Sequence, residues 1–362
     1  MVRIFAVLAA ATVLAGCGSQ NKLIVGAVDD SARFGDARLA MKLAADSGFE
    51  AVALSAVWKR GETAPPAADL AALGRAVSAA DANHVRPIVA VYSFSADTPS
   101  SDADRSDFAA YCAALVRGLP KLGDVVVGNE PNLNLFWLPQ FTDSGADAAA
   151  AAFEQLLAAS YDAIKAVRSD VQVIGAGLSP RGADDPSSPR ATHSPTQFLL
   201  DLGSAYRASG RQAPIMDALA IHPYGESPRI PPSFVHPRSK SISIADYQKL
   251  VNVLGLAFGG THQEGKKLPI VYGEYGVETE VPPDKAHAYT GREIVPTATA
   301  EVQARYYAAA IRLAACQPTV QMLLFFHVVD ETRLEGLQSG VRYADSSPKP
   351  SLAAVRDTKR TC

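Results

Sequence analysis

The strongest constraint on the fold is an alternation that runs the length of the chain. Short β-branched or apolar runs recur at Leu23–Val28, Ala51–Val57, Pro87–Tyr92, Val125–Gly128, Val171–Ala176, Ala218–His222, Pro269–Gly273 and Met322–Val328. Alanine-rich stretches lie between them: Ala37–Ser47, Ala67–Ala82, Asp104–Gly118, Asp147–Arg168, Pro195–Ser209, Ile244–Phe258 and Ala300–Ala315, with Ser351–Asp357 closing the series. Uninterrupted apolar runs suit strands buried on both faces, and such strands are parallel, each needing a crossover helix. Eight strand–helix pairs predict a single (β/α)8 TIM barrel. An open doubly wound sheet is the competing arrangement. It is disfavoured because Gly26-Ala27-Val28-Asp29 lacks the glycine spacing of a phosphate-binding turn.

The 362 residues are 48% apolar and 20% charged, with a formal charge of −3. That balance offers no basic surface to nucleic acid or to an acidic membrane, so neither is expected as a partner. The N-terminus differs from the rest: Arg3 precedes the apolar run Ile4–Ala15, which is short for a spanning helix and reads as a signal peptide. Leu14-Ala15-Gly16-Cys17 resembles the bacterial lipobox, whose cysteine is lipidated. The resemblance implies a signal peptide at 1–16, lipidation at Cys17, a tether over 17–22 and one catalytic domain over 23–362. The expected product is a cell-envelope lipoprotein that touches the membrane only through its lipid, or a secreted protein if the leader is of the ordinary kind. Of the remaining cysteines, Cys316 and Cys362 each follow a helix that returns to the same end of a barrel. A Cys316–Cys362 disulfide is therefore expected, with Cys112 a buried thiol beside Phe108 and Leu115.

Chemistry gathers at two strand ends. In Asp124–Trp137 the run Val125–Val127 is followed by Gly128, Asn129, Glu130 and Pro131. Proline cannot donate to a ladder, so the strand is predicted to end at Glu130 with its carboxylate at the tip. Leu268–Gly276 has the same form, with Glu274 at its tip. A carboxylate there is costly unless it has a task or a partner. A buried ion pair is one reading, but no cation sits in either motif; two convergent glutamates are what a glycosidase requires. Asp29-Asp30 reads as a polar strand end.

Glu130 on the fourth strand and Glu274 on the seventh resemble clan A of the retaining glycoside hydrolases, where Asn-Glu ends the fourth strand and a second glutamate ends the seventh. The resemblance implies that Glu130 is the acid/base, kept protonated by the charge of Glu274, the nucleophile, and that Asn129 binds the sugar 2-hydroxyl. His222-Pro223-Tyr224 resembles the His-x-Tyr pattern of family 5, in which the tyrosine meets the nucleophile and the histidine lines the sugar site. Asn132, which completes Asn-Glu-Pro-Asn, fits family 39 equally well. No tryptophan ends the eighth strand: the run is Leu323–His327, which makes His327 the candidate sugar ligand there. Family 5 has an arginine near strand two and a histidine near strand three, where this chain has Trp58-Lys59-Arg60 and Tyr92-Ser93. Trp58 and Trp137, just after strands two and four, are expected to stack on sugar rings.

The long segments Leu178–Ser194, Gly225–Ser243 and Val277–Thr299 predict a cleft walled mainly by the loops after strands four to eight. The expected function is retaining hydrolysis of an oligo- or polysaccharide, β-linked by resemblance, by a monomer that needs no cofactor and no metal. The seven histidines show neither HxH nor HExxH spacing. The rival is a non-catalytic cell-surface glycan-binding lipoprotein on the same barrel, which would need neither glutamate.

Overall fold

The computed structural model describes residues 22–362; the signal segment and the lipidation candidate Cys17 lie outside the described residues. Eight strands form a closed, all-parallel barrel in sequence order: β1 Ile24–Val28, β2 Ala51–Val57, β3 Arg86–Tyr92, β4 Asp124–Val127, β5 Gln172–Leu178, β6 Ala218–Ile221, β7 Ile270–Tyr275 and β8 Val320–Phe326. The ring closes where β1 pairs with β8, from Ile24–Met322 to Val28–Phe326. The crossover helices are α1 Ala37–Asp46, α2 Ala67–Ala82, α3 Asp102–Gly118, α4 Ala149–Val167, α5 Pro195–Ser209, α6 Tyr247–Phe258 and α7 Ala300–Ala315; α8 Pro350–Asp357 ends the set. Caps fix several starts: the Ser101 hydroxyl accepts from the Asp104 amide in a capping box, which sets α3 two residues earlier than expected. Among the described residues no helix is long and apolar enough to cross a membrane.

Two apolar layers follow from the alternation of each strand. Outward residues such as Val25, Val52, Leu54, Val89, Val127 and Leu323 pack under the helices. Inward residues are mostly small: Ala51, Ala53, Ala218 and Ala220 share the interior with Ile88, Ile174, Val271, Met322 and Leu324. Alanines leave room that larger residues would fill, and a cavity opens above them at the C-terminal mouth.

The strand-N-terminal face is tied shut. The Cys316 and Cys362 sulfurs are bonded, with Cα atoms 4.7 Å apart. The Leu23 amide donates to the Arg360 carbonyl at 3.1 Å, and the Arg360 guanidinium reaches Glu50 and the Gly48 carbonyl. Cys112 is a free thiol with no exposed surface. Under the other face, Lys349 is fully buried and donates to Asp330 and Thr279, both at 2.7 Å, and to the Gln338 carbonyl at 2.9 Å. This knot holds the segments after β7 and β8 together.

Candidate active site

Neither glutamate is a plain strand tip. β4 stops at Val127, three residues short of the expected end. The chain leaves the ladder there: Gly128 takes φ 94° and Glu130 φ 43°, a left-handed conformation a non-glycine residue rarely adopts. The Glu130 amide then donates to the Gly177 carbonyl of β5 at 2.9 Å. β5 is itself bulged, its register with β6 slipping between Gly175 and Leu178. A second slip, between Tyr272 and Tyr275 of β7, places Glu274 in a bulge inside the strand. Bulges re-aim side chains at barrel rims, and here two of them turn carboxylates across the mouth.

Between the bulges stands His222, just past β6 and only 4% exposed. Its Nδ1 lies 3.2 Å from Glu130 Oε1 and 3.7 Å from Glu274 Oε2. The sum of those distances is the most that can separate the two oxygens. That ceiling covers the whole ~5–5.5 Å spacing of retaining pairs and overlaps only the bottom of the ~6.5–9.5 Å spacing of inverting ones. The imidazole sits in a slot floored by glycine on both sides. A Cβ on Gly177 would come within 3.0 Å of Nε2, and one on Gly273 within 3.1 Å of Cδ2. Tyr224 Oη donates to Glu274 Oε2 at 3.1 Å.

The electrostatics are those of a partly buried acidic pair with one shared, buried base. Burial pushes the Glu274 carboxyl up; His222 opposes this, Glu130 adds to it, and the Tyr224 hydroxyl opposes it. The carboxyl that is raised is thus the expected nucleophile's, and the cause is desolvation first. Burial alone would lower His222, but Glu274 and then Glu130 hold its imidazole above the usual range. Burial, then Glu274, keeps the Tyr224 phenol well above its ordinary value, so it remains a donor.

Two cavities meet at the pair. One, of about 410 Å³, runs into the barrel mouth and is lined by Asp30, Ser55, Tyr92, Phe94, Asn129 and Phe136 as well as His222, Phe326, His327, Glu331 and both glutamates. The other, of about 490 Å³, is walled by Arg181, Tyr224, Glu226, Pro228, Glu278 and Val295, again with both glutamates. The loops after strands five to eight wall the second cavity, and those after β4, β6 and β8 also reach the first through Phe136, His222, His327 and Glu331. The ends of strands one to three, with Asp30 and Phe94 just beyond them, complete the first cavity, so the cleft is walled mainly by the loops after strands four to eight, as expected, but not by them alone.

Other expected ligands divide. Asn129 lines the first cavity, and so does His327, whose Nδ1 is 2.8 Å from the Val28 carbonyl and whose Nε2 is 3.3 Å from Glu331 Oε1. Asn132, Trp58 and Trp137 do not face it. Asn132 is fully buried; its Nδ2 donates to the Ser179 and His193 carbonyls, and its Oδ1 accepts from the Ser179 amide at 2.9 Å, stapling two loops. Trp58 has no exposed surface, packs its ring edge on Phe108 and donates Nε1–H to the Glu62 carbonyl at 2.7 Å. Trp137 is 4% exposed and meets Phe153 edge-on. Indoles covered on both faces cannot stack on a sugar. Of the acidic pair after β1, Asp29 is a backbone acceptor for Ser31 and Val328, whereas Asp30 reaches the cavity.

Some site residues escape a sequence reading. Arg181, from the segment after β5, donates to the Tyr224 carbonyl at 3.1 Å and supplies the cation that neither glutamate motif contains. Burial lowers its pKa, while Glu226 and Glu130 oppose that. Phe94 and Phe136 had one visible signal, aromatic residues two and nine positions beyond the ends of β3 and β4. Among the described residues no group of three or more His, Cys, Asp or Glu is arranged to hold a metal ion.

No family model matches the sequence, and no curated protein matches it. Solved structures do. A family 39 glycoside hydrolase from the gut symbiont Bacteroides cellulosilyticus WH2 superposes with a TM-score of 0.65 at 17% identity, over 94% of this chain and 64% of that one. A subfamily 18 member of glycoside hydrolase family 5 from Streptomyces cattleya, in complex with Man-β1,4-GlcNAc, gives 0.60 at 17% identity, over 92% and 79%. A β-glucuronidase from Bacteroides uniformis gives 0.58 at 12% identity, over 94% and 35%. The chain spans under two thirds of the first and about a third of the last. At these identities the likeness is one of architecture, and the chain has the (β/α)8 barrel fold that these glycoside hydrolases share.

Proposed function

We propose that this chain is a retaining O-glycoside hydrolase acting on an oligo- or polysaccharide. The observation that carries this reading is the meeting of Glu130 and Glu274 on one histidine nitrogen, on the wall shared by two cavities. A glycosidic bond laid across that wall has one sugar in each cavity. Glu274 attacks the anomeric carbon as the leaving oxygen takes the Glu130 proton, and a glycosyl–enzyme ester forms. Water, deprotonated by Glu130, then cleaves the ester and restores both groups. The nearby charge of His222 and the hydrogen bond from Tyr224 favour ionised Glu274 against its burial. Asn129 is placed to meet a hydroxyl of the sugar beside it. The same proposal includes export, acylation at Cys17 and a β-linked substrate.

The test is product stereochemistry in two variants. Glu274→Ala should lose turnover and regain it with azide, giving an inverted glycosyl azide. Glu130→Ala should keep the glycosylation of substrates with good leaving groups, and azide should speed its release with retained configuration. Wild-type activity in either variant removes that residue from catalysis. An inactive wild type that still binds glycans would favour a binding protein.

A further inference from the structure

With both tryptophans buried, the first cavity still has an aromatic wall. Phe94 and Phe136 stack at 5.5 Å between centroids with their planes 23° apart. Tyr92 closes on both edge-first, at 5.8 and 6.0 Å. The wall is braced from behind: the Ser95 amide donates to the Leu135 carbonyl at 3.0 Å, and the Leu138 amide to Thr98 Oγ1 at 3.0 Å. Phe94 nevertheless remains 44% exposed. A phenyl held rigidly and left open costs stability unless something covers it.

The far side of the cavity differs. The wall belongs to the loops after β3 and β4; across the barrel, the ends of β1 and β8 present Asp30, His327 and Glu331. One face is aromatic and the other bristles with hydrogen-bonding groups. An alkyl chain would leave the polar side unmatched. A pyranose ring has an apolar C–H face and a rim of hydroxyls, and satisfies both. The polar side carries two carboxylates, Asp30 and Glu331, and both glutamates open onto the same space. A negatively charged sugar would be repelled there.

We infer that Phe94 and Phe136, braced by Tyr92, form a stacking subsite for a neutral pyranose ring, with its hydroxyls turned toward Asp30, His327 and Glu331. This inference rests on the reading that Glu130 and Glu274 cut a glycosidic bond, because it places the ring beside them. It moves the sugar platform from the eighth strand to the opposite wall of the barrel.

Saturation-transfer NMR on the purified domain tests the inference without turnover. The probes are the methyl β-glycosides of glucose, galactose, mannose, xylose and glucuronic acid. At least one neutral glycoside should bind, with the protons of one ring face saturated most strongly and the glucuronide weakest. Phe94→Leu keeps the apolar volume and removes the ring; its dissociation constant should rise about fivefold to tenfold. Phe136→Leu should behave alike, and Phe94→Tyr should bind like the wild type. Glu274→Gln should lose hydrolysis but keep binding, so loss of the hydrolase reading and loss of the subsite give different results. The inference is overturned if the leucine variants, with unchanged melting temperature, bind within twofold of the wild type. It is equally overturned if the glucuronide binds best, or if no glycoside of the panel binds.

Discussion

Replacing Cys362 with serine tests how the barrel is held closed. The Cys316–Cys362 bond spans 46 positions. In the chain-entropy model, closing a loop of that length in the unfolded ensemble is worth about 4 kcal/mol at 25 °C. Two features make this an upper figure. The tail also makes native hydrogen bonds through Arg360 and the Leu23 amide, which survive the substitution. The unfolded chain also retains some compactness, which shrinks the entropy released. Spread over the unfolding entropy of some 340 residues, at ~2 cal/mol/K each, 4 kcal/mol lowers the melting temperature by about 6 °C. Calorimetry of wild type, Cys362→Ser and Cys316→Ser should show equal drops of about 3–6 °C, and reductant should bring the wild type to the same value. Thiol titration of residues 22–362, unfolded without reductant, should find one reactive group, Cys112. A drop under 1 °C would show that α8 and the tail are held by packing alone and that the loop-entropy argument does not apply. Three titratable thiols would show that the bridge does not form.

Other outcomes follow from single contacts. Gly273→Ala puts a methyl 3.1 Å from the His222 ring, which Gly177 already limits on the other side at 3.0 Å; turnover should fall roughly 10- to 100-fold with little change in melting temperature, measured as kcat on any cleaved glycoside. Lys349→Met strands the buried Asp330 carboxylate, and urea unfolding should record a loss of about 3–5 kcal/mol. Burial lifts Glu278 to about 7, with the Gln338 amide on one oxygen and no partner on the other among the described residues. A carboxyl raised on folding adds stability below its unfolded pKa of about 4.5 and loses it as pH rises through 7. Denaturant midpoints should therefore fall from pH 5 to pH 8, and Glu278→Gln should flatten that slope.

The strand order was readable because parallel barrel strands are apolar on both faces, so each appears as a run bounded by alanine-rich helices. Ala51–Val57, Ala67–Ala82, Pro195–Ser209 and Ala300–Ala315 coincide with the observed elements. What sequence could not carry was bulge geometry. Glu130 and Glu274 were visible as carboxylates beside strands, but the register slips that aim them depend on neighbouring strands far away in the chain. The indoles misled for a related reason. A tryptophan just after a strand can face the mouth or fold back under its own loop, and only the contacts of Trp58 with Phe108 and Trp137 with Phe153 decide. Asn132 was pulled inward by a loop some 47 residues further on.

The two ends of the described chain meet at the face opposite the glutamates: Leu23 bonds Arg360 there, beside the strand starts. Whatever is joined to either end is thus attached behind the barrel. If Cys17 carries a lipid, residues 18–22 extend at most about 17 Å. The domain would then stand with its back to the bilayer and its mouth facing outward. On the proposed hydrolase reading, such an orientation would select among substrates by geography: glycans hanging free beyond the surface could enter, whereas sugars buried among the headgroups of the same leaflet would lie on the wrong side. A fusion or resin coupling at either terminus should, for the same reason, leave the entrance clear.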